Sequence, residues 1–73
     1  MKTRAGGLPM KNNVRILRKE KHITQEELAV KMGVTRQTIN ALENNKYSPT
    51  LELALNIASF LEQPVEKIFQ NEK

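Results

Sequence analysis

Apolar residues recur along this chain at a helical spacing, and short polar stretches separate the segments that carry them. Early in the chain, Val14 and Leu17 lie three residues apart, so both fall on one face of a helix. Asn12 or Asn13 can begin this helix, because the side-chain oxygen of asparagine accepts a hydrogen bond from a free amide at a helix start. The pattern predicts a first helix with one narrow buried face.

The segment 25–44 contains two short helical patterns that are separated by a sharp corner. Thr24 directly precedes the first pattern, and Glu27 lies three residues after Thr24. This is the spacing of a capping box. Gly33 ends this helix, since a residue just past a helix end often needs a positive φ. Thr35 can cap the next helix after the turn. The spacing therefore predicts two helices that meet at a tight corner.

The second of these helices has two different sides. At about 100° per residue, Ile39 and Leu42 share an apolar inward side. The outward side carries polar groups and one small residue, namely Arg36, Gln37, Asn40, Ala41 and Asn44. A guanidinium fits guanine bidentately, and a carboxamide fits adenine. An ordinary solvated helix face is also polar, but the sharp corner and the lack of an outward acid favour DNA. We predict Arg36 and Gln37 as the main base-reading residues, with Asn40 secondary.

The loop after this helix is predicted to lie along the sugar-phosphate backbone. Lys46 and the side-chain amide of Asn44 are the expected phosphate contacts, and Thr38 is expected to help position the domain. Tyr47 has two equally plausible roles, which are a hydrogen bond to a phosphate and packing against Pro49.

The fourth helical segment carries more apolar residues than one buried face requires. Thr50 can cap this helix, and Pro64 can open a short last helix that covers part of it. The uncovered part predicts a dimer surface. We place that surface at Leu53, Ile57, Phe60 and Phe69. The alternative is a monomer in which the last helix covers the whole apolar arc.

The motifs together resemble the phage-repressor-like XRE/Cro-type helix-turn-helix regulators. The matching positions are Leu17 and Arg18, residues 24–29, 33–39 and 42–44, Pro49, and Ile57 with Ala58. The resemblance covers roughly residues 12–69, and so many positions at fixed spacing are far more specific than one short motif. The resemblance implies an all-α, compact five-helix, lambda-repressor-like DNA-binding domain. Its helix-turn-helix would be helices 2 and 3, with the third helix in the major groove.

The resemblance also implies roles for individual residues. Arg18 and Glu43 match two residues that form an ion pair in the family, and this ion pair connects the first helix to the end of the recognition helix. Gln25 matches a residue that lies against the DNA backbone and can support a base-reading neighbour. His22 and Asn45 stand where many members have glycine, so both are expected in the left-handed backbone region.

We place this domain at residues 10–69. Residues 1–9 lack periodicity and contain two glycines and a proline, so we expect a disordered extension. Lys2 and Arg4 could make it a basic arm on DNA, or it could reflect an upstream start. Residues 70–73 form a short tail.

The net charge of +4 is concentrated near the start of the chain. Residues 1–22 contain seven Lys or Arg and one Glu, whereas residues 48–73 contain two Lys and four Glu. A basic front half suits phosphate contacts, although it also serves solubility.

Several classes of function have little support in the composition. The chain has one histidine, His22, and neither cysteine nor aspartate, so we expect no enzyme, no metal site and no cofactor. No apolar run approaches the length of a membrane span, and the start is unlike a signal peptide. We therefore expect a cytoplasmic protein without a membrane partner.

The function that this pattern favours is a sequence-specific, double-stranded DNA-binding transcriptional regulator. We expect a repressor that acts as a homodimer, with helix 35–44 in the major groove. The alternative is an antitoxin-like or coactivator-like module that uses the same fold to hold a protein partner.

Overall fold

The structure is a computed structural model, and it describes residues 11–70 of the chain. It contains five helices and two short strands. In chain order they are β1 (Lys11–Asn12), α1 (Val14–Glu20), α2 (Gln25–Met32), α3 (Arg36–Glu43), α4 (Leu51–Leu61), α5 (Val65–Ile68) and β2 (Phe69–Gln70). The predicted five-helix fold is confirmed. The predicted extension over residues 1–9 and the end of the tail, residues 71–73, lie outside the described residues.

Side-chain caps begin three of the helices at the predicted residues. The Thr24 hydroxyl accepts from the Glu27 amide at 3.0 Å, and the Glu27 carboxylate accepts from the Thr24 amide at 2.7 Å. Thr35 and Thr50 each accept from the amide three residues later. These local bonds satisfy amides that the helices leave free, and so they set where α2, α3 and α4 begin.

Left-handed residues follow the first four helices, whereas α5 ends in extended backbone. Gly33 ends α2 with a φ of 74°, and His22 and Asn45 each have a φ of 60°, as the resemblance implied. Glu62 ends α4 in the same region, also with a φ of 60°, and was not predicted. Glutamate has no side-chain chemistry that favours this conformation. The available signal was Pro64, which is common shortly after a helix end.

A two-stranded antiparallel sheet closes the domain and was also not predicted. Lys11 pairs with Gln70 and Asn12 pairs with Phe69, so the first position of the predicted tail belongs to the sheet. Asn13 adds a bond from its amide to the Ile68 carbonyl at 2.9 Å. Strands of two residues are too short to show the alternation by which strands are recognised.

Asn12 connects this sheet to two helices. Its side-chain oxygen accepts from the Val14 amide at 3.0 Å, at the start of α1. Its side-chain nitrogen donates to the Leu42 carbonyl at 2.8 Å, near the end of α3. One side chain thus bonds the first amide of α1 and holds the C-terminal end of α3, whereas Asn13, which directly precedes α1, makes no cap bond with its side chain.

The core corrects the predicted dimer surface. Leu53, Ile57 and Phe69 are buried within the chain, and Phe60 is partly buried against the same cluster. The prediction was wrong because these side chains pack in the core of the same chain, in one cluster with side chains of the other helices. The apolar side chains that α4 exposes are Leu51 and Leu55, at 73% and 51%. None of the helices in residues 11–70 is long and apolar enough to cross a membrane.

Candidate nucleic-acid interface

Helices α2 and α3 form the predicted helix-turn-helix. The Val34 amide donates to the Ala29 carbonyl at 3.0 Å and closes the corner after α2. Beyond the corner, α3 buries Ile39 and Leu42 completely. Its inward and outward sides are therefore divided as the periodicity predicted.

The outward side of α3 presents polar groups to solvent. Arg36, Gln37 and Asn40 are exposed and border one open concavity. Glu26 of α2 borders the same concavity, and the sequence pattern did not single it out. A carboxylate there can accept a hydrogen bond from the cytosine amino group, so Glu26 joins the candidate base-reading residues. No pattern within α2 or α3 alone indicates this approach of Glu26 to α3.

Arg18 and Glu43 form an ion pair beneath this face. Arg18 Nε lies 2.6 Å from Glu43 Oε2, and Arg18 Nη2 lies 3.1 Å from Glu43 Oε1. The side chains are 9% and 0% exposed. Arg18 also donates from Nη1 to the Ile23 carbonyl at 2.8 Å, so α1 holds both the end of α3 and the segment before α2.

Burial and hydrogen bonding act in opposite directions on this pair. Burial alone would raise the pKa of Glu43, but hydrogen bonds from Arg18 and Gln25 outweigh it and hold that pKa below its ordinary value. The hydrogen bond that Arg18 donates to Glu43 raises the pKa of Arg18. Both groups therefore stay charged at neutral pH, as a bidentate pair requires.

The lowered pKa of Glu43 predicts acid sensitivity. Because its folded pKa lies below its unfolded value, the stabilisation is present above the unfolded pKa and is lost as pH falls through the folded one. We expect the free energy of unfolding to fall as pH drops below about 4–5. Urea denaturation at several pH values should show a smaller fall in Glu43→Gln than in the exposed control Glu20→Gln. Equal pH dependence in the two variants would contradict this assignment.

Glu43 of this pair and four further polar side chains form a closed ring of hydrogen bonds. They are Glu43, Gln25, Asn40, Asn44 and Arg15, and we call them the polar ring. Gln25 Nε2 donates to Glu43 Oε1 at 3.0 Å, and Asn40 Nδ2 donates to Gln25 Oε1 at 3.4 Å. Asn44 Nδ2 donates to Asn40 Oδ1 at 3.2 Å, and Arg15 Nη2 donates to Asn44 Oδ1 at 2.7 Å. Arg15 Nε completes the ring at 3.4 Å from Glu43 Oε1.

The remaining predicted contacts lie at the edges of this face. Thr38 is partly buried, and its hydroxyl lies 3.0 Å from that of Thr35. Lys46 is exposed, and its amide donates to the Ala41 carbonyl at 2.8 Å, which holds the loop against α3. Within residues 11–70, no group of three or more His, Cys, Asp or Glu side chains is placed to hold a metal ion.

Comparisons with known proteins agree with this architecture. The helix-turn-helix family model matches residues 14–68. An HTH-type transcriptional regulator of Methanocaldococcus jannaschii is 50% identical over 60 residues, covering 82% of this chain and 91% of that protein. Another from Methanothermobacter thermautotrophicus is 54% identical over 61 residues, covering 82% of this chain and 88% of that protein. A crystal structure of a candidate DNA-binding protein from Bacteroides fragilis is similar, with a TM-score of 0.75 and 28% identity, covering 84% of this chain and 98% of that one.

The chain therefore belongs to the helix-turn-helix family of transcriptional regulators. The predicted resemblance to XRE-type regulators is confirmed. Membership in this family implies binding to double-stranded DNA.

Proposed function

We propose that this protein is a sequence-specific repressor that binds double-stranded DNA as a homodimer, with α3 in the major groove. The observation that carries the proposal is the outward face of α3, where Arg36, Gln37 and Asn40 are exposed above a buried ion pair. A rigid base beneath exposed base-reading groups suits recognition, since binding sites need side chains held in defined positions.

The contacts divide into two groups with different consequences. Arg36 and Gln37 read most of the sequence, and Asn40 adds a secondary contact, because guanidinium and carboxamide groups match base edges. The others position the domain on the backbone without reading sequence. These backbone contacts are Gln25, Thr38, Asn44 and Lys46.

Homodimerisation would give the specificity that one short helix lacks. Two copies bound to successive major grooves, about 34 Å apart, read two half-sites of an inverted repeat. Leu51 and Leu55 of α4 are two exposed apolar side chains, one helical turn apart, that a second copy could cover. Such a dimer would repress a gene whose promoter overlaps the bound DNA, since it would exclude other proteins from that site.

The same exposed side chains support a second candidate function. Leu51 and Leu55 lie on α4 and not on the DNA-reading face, so they suit contact with a different protein. An antitoxin-like or coactivator-like module would use α4 for that partner. Both functions can coexist in one chain, because α3 and α4 expose separate surfaces.

Selection of random duplex DNA by the purified protein, followed by sequencing, tests the proposal. We expect an enriched inverted repeat. Arg36→Ala and Gln37→Ala should each reduce discrimination at one base pair by about 1–3 kcal/mol, which is about 5- to 150-fold. The control Lys46→Ala should lower affinity evenly across sequences and reduce the salt dependence.

The other outcomes separate the alternatives. A single enriched half-site would contradict the homodimer, and a changed base preference in Lys46→Ala would contradict our division of contacts. Salt-sensitive binding without any enriched sequence would contradict base reading and favour the protein-interaction module.

A further inference from the structure

The polar ring has a hydrogen-bonding direction that its two charged members determine. Glu43 is ionised and can only accept, whereas Arg15 can only donate. The Gln25 amide must therefore turn its nitrogen to Glu43 and its oxygen to Asn40. From the other end, Arg15 requires the oxygen of Asn44, which leaves the nitrogen of Asn44 for Asn40.

Both constraints meet at Asn40, which lies between the two other amides. Its nitrogen donates to Gln25 at 3.4 Å, and its oxygen accepts from Asn44 at 3.2 Å. Asn44 is held further by a bond from its nitrogen to the Asn40 carbonyl at 2.9 Å. A carboxamide torsion is otherwise broad and roughly two-fold, so an isolated asparagine can exchange the places of its oxygen and nitrogen. The ring removes that freedom.

Orientation matters because each order of oxygen and nitrogen suits a different base edge. Asn40 keeps one N–H and one lone pair outside the ring, because an amide has two donors and two acceptor sites. Adenine offers an amino donor beside a ring-nitrogen acceptor. One orientation of the carboxamide matches that pair, and the reversed orientation places donor against donor and acceptor against acceptor.

We propose that Arg15 is a positioning residue for base discrimination, acting through Asn44 on the orientation of the Asn40 carboxamide. The proposal rests on the proposed function, since it concerns how the same face reads DNA. Arg15 lies on α1, its side chain is 46% exposed, and it reaches the ring through the 2.7 Å bond to Asn44. Removing Arg15 leaves the Asn44 oxygen without its donor and loosens the Asn44 side chain, so the long 3.4 Å bond to Gln25 becomes the main constraint on the Asn40 carboxamide.

The first test observes the ring in the free protein, so it does not depend on DNA binding. Side-chain amide spectra by NMR compare wild type with Arg15→Met, which keeps the length of the side chain and removes its donors. We expect the Asn40 amide resonances to shift and their exchange with water to accelerate. The matched control Lys19→Met removes a charge from the same helix and should leave them in place. Unchanged Asn40 resonances in Arg15→Met would overturn the proposal.

The second test measures discrimination at the base pair whose preference is lost in Asn40→Ala. In Arg15→Met, discrimination there should fall about 3- to 10-fold, the range of one net hydrogen bond. Base pairs read by Arg36 should keep their preference, and Arg15→Lys should restore most of the loss because it retains a donor. Backbone amide spectra establish that each variant is folded.

Three results would overturn the positioning role in distinguishable ways. A uniform loss of affinity with unchanged discrimination would make Arg15 only a phosphate contact. If Arg15→Met has the affinity and the base discrimination of wild type, the ring is irrelevant to binding. If the wild-type protein selects no sequence, the proposed function fails and the role in base reading fails with it, while the NMR comparison still decides whether the ring orients Asn40.

Discussion

Replacing Arg18 with methionine is expected to lower the free energy of unfolding by about 3–5 kcal/mol. The change leaves Glu43 ionised and buried, with its bidentate partner removed. It also removes the donor to the Ile23 carbonyl. A domain of this size has a total stability of about 3–9 kcal/mol, so much of the variant should be unfolded at room temperature. Urea denaturation with and without a stabilising osmolyte measures the difference.

A double variant separates the pair from its individual charges. Arg18→Met/Glu43→Leu removes both charges together and should recover much of the loss, since an apolar pair leaves no buried charge unpaired. Lys19→Met, on the exposed side of the same helix, should change stability by less than about 0.5 kcal/mol. If Arg18→Met costs under about 1 kcal/mol, the pair behaves as a surface salt bridge and our account of it is wrong.

Replacing Ile57 with alanine is expected to lower the free energy of unfolding by about 2–5 kcal/mol. Ile57 is fully buried in α4, so the substitution removes packed methyl groups and leaves a cavity. Leu55 is the matched control, because it lies two residues earlier in the same helix and is 51% exposed. Thermal and urea unfolding at low protein concentration should place Leu55→Ala within about 0.5 kcal/mol of wild type.

This comparison also tests the corrected apolar surface of α4. A cost for Leu55→Ala that equals the cost for Ile57→Ala would contradict the burial that the structure assigns to the two side chains. A cost for Leu55→Ala that appears only at high protein concentration would instead locate a subunit contact at Leu55, because the stability of a dimer depends on protomer concentration.

Local chemistry made much of the fold predictable. The caps at Thr24, Thr35 and Thr50 each use bonds within three residues, so a short window of sequence contains the whole interaction. Gly33 was also predictable from local sequence, because glycine readily adopts the positive φ that a helix end often needs. Glu62 was not, since its left-handed backbone follows from where α4 must end and not from glutamate itself.

Features that depend on tertiary contact were missed or misplaced. The apolar arc of α4 and a last helix over part of it were predictable from the sequence, but the extent of burial was not, so buried Ile57 was assigned to a dimer surface. In the site, helical periodicity located the exposed groups of α3. Glu26 and Arg15 come from neighbouring helices, and their approach to α3 depends on crossing geometry that no single-helix pattern contains.

The short sheet brings the two ends of the described chain together. Lys11 and Gln70 are directly paired, and Cα atoms in such antiparallel pairs lie about 4.5–5.5 Å apart. A peptide linker of a few residues could therefore join the ends, and new termini could be opened in an exposed loop, as circular permutation requires. The sheet also places anything fused to either end at one edge of the domain, close to where Asn12 holds the end of α3.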